Sequence, residues 1–137
     1  MIPEKPLPIP DPDSQPYWDA AKAHELRAQQ CSHCGRFRWP PSGLCPHCHS
    51  WQCQWVKLPG SGTIISYVVV HQPIGAFASQ VPYVLAKIAL DGTDGHANIS
   101  SNVTDCAWEE VNVGMRVGVI FDDVTDDVTL PKFRPLE

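Results

Sequence analysis

From residue 62 onward, apolar and polar positions alternate with a period of two, in short runs rich in β-branched side chains. The runs are GTIISYVVVH, PYVLAKIAL, HANISSNVT, GMRVGVIF and DDVTLP, each bounded by Gly, Pro or Asp. In GMRVGVIF, Met115, Val117, Val119 and Phe121 fall on one face, and Arg116, Gly118 and Ile120 on the other. Each run predicts a strand. Five short strands after a Gly-Ser-Gly lead-in predict a mainly β unit, best fitted by the five-stranded OB-type barrel, with an open sandwich as the alternative.

The pattern upstream is different. Residues 1–13 are proline-rich and without periodicity, which predicts an extended arm that cannot build a core. In SQPYWDAAKAHELRAQQ, Ser14 is placed to cap a helix, Pro16 fits its first turn, and Tyr17, Ala21, His24 and Ala28 share one face. A short N-terminal helix is expected there. Two loops stand out within the β region. QPIGAFASQVP, with Ile74 and Phe77, is long and apolar enough to fold over a ligand, a partner or its own barrel. DDVTDDVT lacks the Gly and Glu of a calcium loop and reads as a solvated acidic turn leading into a strand.

Between helix and barrel, CSHCGRFRWPPSGLCPHC carries two C-x-x-C pairs. Zinc takes four ligands in a tetrahedron, and Cys31 with Cys34 and Cys45 with Cys48 have the spacing that supplies them from two knuckles. Gly35 suits the positive φ a knuckle turn asks for, and Pro46 stiffens the second turn. Four thiolates leave no open position for water or substrate, so one structural Zn2+ per chain is expected, its binding making up for a segment too small to fold alone. His33, His47 and His49 are then neighbours of the ligands, and Cys53 and Cys106 are read as small buried apolar side chains. The divisions are 1–29, arm and helix; 30–56, zinc ribbon; 57–137, OB-fold domain.

Charge narrows the classes. The 137 residues carry a net charge of -5, and the ten Lys and Arg form no stripe, which argues against a nucleic-acid partner. No apolar run approaches the ~20 residues of a membrane span. The reading is a chain without membrane segment, cytoplasmic by default, its Cys pairs favouring metal over disulfides. No nucleophile elbow, metalloprotease helix or phosphate-cradling loop is present, so no catalytic residue is assigned.

The order PYWDAAKAHELRAQQC, CG with RWPPSGLCPHC, GSGTIISYVVVHQP, VPYVLAKIALDG, GMRVGVIF and LPKFRP resembles acyl-CoA-associated proteins that join a rubredoxin-like zinc ribbon to an OB-type barrel. The likeness runs over nearly the whole chain. It implies a non-catalytic accessory subunit of a thiolase-fold enzyme, foremost a lipid-transfer-protein-like aldolase of steroid side-chain degradation, in which such a domain also occurs fused to a hydratase domain. A thiolase and hydroxymethylglutaryl-CoA synthase assembly, or an independent acyl-CoA-binding module, are the alternatives. Cys31, Cys34, Cys45 and Cys48 match the family's zinc ligands. On this resemblance Arg27, Arg36, Arg38 and Lys57 could meet CoA phosphates or acidic partner groups, and Trp18, Trp39 and Phe77 are candidate partner contacts. Two copies on a dimeric partner are expected by symmetry.

Overall fold

The computed structural model describes residues 6–136, and the first five arm residues lie outside that range. Residues 6–10 have no regular structure. Helix α1 spans Gln15–Lys22 and buries Tyr17, Ala20 and Ala21. Ser14 does not cap it with its side chain; instead Ser14 and Asp11 exchange hydrogen bonds, Asp11 N–H to Ser14 Oγ at 3.1 Å and Ser14 N–H to Asp11 Oδ1 at 2.8 Å. The helix is shorter than expected. His24 adopts φ 59, which ends the helical run, and Ala28 belongs to a strand.

That strand, β1 (Arg27–Cys31), is the centre of a three-stranded antiparallel sheet, with β2 (Phe37–Arg38) on one side and β3 (Cys53–Lys57) on the other. Ala28 continues the helical row of Tyr17 and Ala21, but it also lies two residues from the buried Leu26, the spacing of one strand face. Pairing decides: Arg27 to Cys31 face Lys57 to Cys53 along the full ladder, which satisfies backbone groups that a helix end would leave open.

The remainder closes into a barrel of order β4–β5–β6–β8–β7, from β4 (Ser61–Val70), β5 (Tyr83–Leu90), β6 (Asn98–Val103), β7 (Arg116–Asp123) and β8 (Thr129–Pro135). The β7–β4 pairs complete the closure, so the open sandwich is excluded. Alternation does what it predicted: Val84, Ala86, Ile88 and Leu90 point inward and are buried, as do Ile99, Val103, Val117 and Phe133. In β4 a bulge between Ile64 and Ser66 resets the alternation, leaving Ile64 inside and Ile65 exposed. Gly62 lies where β5 crosses: a Cβ there would sit 2.6 Å from the Ala89 carbonyl oxygen.

The last strand differs most from expectation. Predicted over 126–131, it begins at Thr129 and runs to Pro135. Thr125 Oγ1 accepts from the Asp127 and Val128 amides and makes 125–128 a tight turn. The acidic segment is less uniform than a solvated turn, since Asp122 accepts from Lys132 and Asp123 from both Thr129 and His24.

Candidate metal centre and ribbon surface

The knuckles are built alike. In the first, the Gly35 amide donates to the Cys31 carbonyl at 2.9 Å, and Gly35 takes φ +79; in the second, the His49 amide donates to the Cys45 carbonyl at 2.9 Å, and His49 takes φ 65. The repeated turn aims both cysteines of each pair at one point. The four sulfurs lie within 4.8 Å of one another, with Cys31 to Cys48 at 3.5 Å and Cys34 to Cys45 at 3.7 Å. Four sulfurs around one zinc at ~2.3 Å stand about 3.8 Å apart, so this arrangement fits that ion. Cys31 and Cys45 are buried, and Cys34 is exposed.

The electrostatics agree. The Cys34 amide, foremost, holds the Cys31 thiol down at about 6, and the Cys48 amide lowers Cys45. For Cys48 the Ser50 amide favours the thiolate, but burial and the sulfurs of Cys31, Cys34 and Cys45 together push it up to about 12. Four adjacent sulfurs cannot share so much negative charge without a cation between them. His33, His47 and His49 stay outside the group. His47 Nδ1 instead lies 3.4 Å from Arg36 Nη1.

The predicted basic cluster is not one cluster. Arg27 and Lys57 face each other at one end of the ribbon sheet, where Arg27 pairs with Glu25 at 2.8 Å; Arg36 is exposed at the opposite end, beside the first knuckle. Arg38 is only 6 % exposed, and its Nη2 donates to the Ser42 carbonyl at 2.7 Å. Beside it, Gln29 accepts from the Ser42 amide at 2.9 Å, so this buried pair ties down the 39–44 loop. That is a different task from the surface contact the sequence suggested. Cys53 is exposed rather than buried and receives a hydrogen bond from Gln29 Nε2 at 3.2 Å; Cys106 is half-buried.

Trp18 and Trp39 come together around Tyr17, with ring centroids 5.0 and 4.6 Å from it. They line a groove of 470 Å³ between α1 and the barrel, whose other wall includes Lys87 and Ser100. Lys87 escaped the sequence reading; its only signal was a lone charge in the apolar run YVLAKIAL. Trp51 stands 74 % exposed on the ribbon. Phe77 sits on a 3₁₀ turn, Gly75–Gln80, within the long loop and lies 6.1 Å from Tyr83.

Comparison with known proteins gives this arrangement a family. Residues 18–50 match "ChsH2, rubredoxin-like zinc ribbon domain", and residues 55–122 match "ChsH2, C-terminal OB-fold domain". A DUF35 domain-containing scaffold protein of Methanocaldococcus jannaschii is 35 % identical over 115 residues, 79 % of either chain. The chain belongs to the DUF35 family. Among solved DUF35 structures, a chain of one described as "Ltp2-ChsH2(DUF35) aldolase" is 33 % identical with TM-score 0.84, over 93 % of this chain and 98 % of that one. A DUF35 protein from Sulfolobus solfataricus, at 17 % identity and TM-score 0.64, shares the fold. A "Probable enoyl-CoA hydratase alpha subunit" of Thermomonospora curvata is 34 % identical over 131 residues, and this chain spans 40 % of its length. The ribbon and the OB-type barrel expected of the DUF35 chain are both present. No described helix is long and apolar enough to cross a membrane.

Proposed function

We propose that this chain is a non-catalytic accessory subunit that scaffolds a thiolase-fold, lipid-transfer-protein-like aldolase acting on an acyl-CoA of the steroid side-chain class. The observation that carries the reading is its likeness, along nearly the full length of both chains, to a chain of the Ltp2-ChsH2(DUF35) aldolase. In this reading Cys31, Cys34, Cys45 and Cys48 hold one zinc, which supplies a cross-link and no reaction chemistry. The ribbon then holds its loops still. Trp18 and Trp39 offer rigid aromatic area to the partner, Arg36 and Lys57 offer exposed charge to acidic groups or CoA phosphates, and the half-buried Arg27 offers the donors that its pair with Glu25 leaves over. Catalytic groups belong to the partner, and two chains sit on a two-fold partner. The relatives called hydratase alpha subunits support a setting in which a hydratase works on the same thioester.

The test is co-expression with a thiolase-fold aldolase, followed by co-purification and an acyl-CoA cleavage assay. The complex should cleave; this chain alone should not. Cleavage by the isolated chain, or full partner activity in its absence, sinks the proposal. A second reading, service to a thiolase and hydroxymethylglutaryl-CoA synthase assembly, draws on the archaeal relatives described as scaffold proteins. Offering both partners in one pull-down separates the two readings.

A further inference from the structure

The long β4–β5 loop and the N-terminal arm enclose a cavity on the outside of the barrel, remote in role from both the metal centre and the aromatic groove. Its volume is 170 Å³, and Leu7, Phe77, Tyr83, Val124 and Leu130 supply apolar walls. The floor is the outer face of β5, β6 and β8, where Tyr83, Asn102 and Lys132 alternate with the buried Val84, Val103 and Phe133. Between β6 and β8 the ladder has a single register pair, Val103 with Phe133. The arm is held down at this point: Leu7 is half-buried, whereas Ile9, two residues on, is 92 % exposed.

Size and chemistry define what fits. An apolar cavity of about 150 Å³ takes a benzene-sized group. The polar lining is Gln80, Asn102 and Lys132. Asn102 Nδ2 already donates to the Val84 carbonyl at 3.1 Å, and Lys132 Nζ donates to Asp122 Oδ2 at 2.8 Å. An ammonium has three donors, and Asp122 takes one. A neutral carbonyl can accept another without disturbing that pair. A carboxylate would add a second negative charge beside Asp122, around a cation already neutralised. We infer that this cavity binds a small uncharged carbonyl compound, an amide, ester or thioester whose apolar part is no larger than a benzene ring. Every wall named here is a residue of this chain, and the inference does not rest on the partner reading.

The probes are benzamide and benzoate, equal in shape and different in charge, titrated separately into the isotope-labelled full chain and followed by NMR. Benzamide should shift the Val124 and Leu130 methyl and the Phe77 and Tyr83 ring signals, and benzoate should do so about tenfold more weakly. Leu130→Trp, which fills the cavity, should abolish the shifts. Phe77→Ala removes a wall from an exposed turn and leaves the core untouched, so it should weaken binding with the Ile64 methyl signal unchanged. Equal binding of benzoate, shifts centred on Trp18 and Trp39, absence of any shift, or full binding in both variants overturns the inference. So does a result in which only the aldolase partner, and neither probe, perturbs these four residues.

Discussion

The ribbon and the barrel are both antiparallel sheets, yet they are held by different physics. The ribbon sheet has a two-residue edge strand and gathers its knuckles around four sulfurs. The barrel closes five strands around Ile64, Ile88, Val117 and Phe133, each 0 % exposed. A point-like cross-link holds the first, and distributed burial holds the second. The two regions should therefore fail under different insults. The ribbon should answer to metal and the barrel to cavities.

The ribbon should respond most strongly of all. Structural zinc contributes of order 10–16 kcal/mol in small ribbons, so Cys45→Ser or a strong chelator should remove amide protection from β1–β3 while β4–β8 remain protected. Hydrogen exchange read by mass spectrometry decides this. Simultaneous loss in both regions would dissolve the contrast, and it has a structural route, because Leu26 and Ala28 of the ribbon side share a core with the barrel. Next, Phe133→Ala should cost about 3–5 kcal/mol in denaturant unfolding without releasing zinc. If zinc leaves at the same midpoint, the regions are one cooperative unit.

Trp39→Ala should weaken binding to the proposed aldolase partner by about 2 kcal/mol in a titration, with the metal content unchanged. Normal assembly would move the interface away from the aromatic groove. The smallest effect concerns pH. Arg116, foremost, and then Ser61 hydrogen-bond Asp91 and hold its carboxyl at about 2. Because the folded value lies below the ordinary one, this contribution is complete above roughly pH 4 and is lost as pH falls toward 2. Both side chains are partly exposed, so Asp91→Asn should remove only about 1 kcal/mol near neutral pH, with little difference from wild type left near pH 2. A constant offset across that range would show that the pair acts through shape rather than charge.

Legibility followed the same divide. The metal centre could be read because its signal is local: two C-x-x-C pairs ten residues apart state ligand type and number at once. Four of the barrel strands could be read from their alternating apolar and polar positions, and the β4 bulge merely shifted the phase in one place; the last was placed too early because 125–128 forms a turn around Thr125. The segment 24–31 could not. Ala28 fits the helical row of Tyr17 and Ala21 as well as the strand row of Leu26, and only the partners Phe37–Arg38 and Cys53–Lys57 decide between them. Arg38 was opaque for a related reason, since a side chain's charge says nothing of whether the fold turns it outward.

The fold class and the donor set were already fixed along the chain, because they rest on periodicity and spacing, which are properties of one dimension; the family rested on the likeness of whole ordered motifs. Folding in three dimensions set Arg27 and Arg36 at opposite ends of a sheet and gathered Trp18 and Trp39 around Tyr17. It alone set Leu7 and Leu130 against one cavity on the outside of the barrel. Those are relations between segments far apart in sequence. They arise when strands pair and close, and no local pattern encodes the distance between residues that closure brings together.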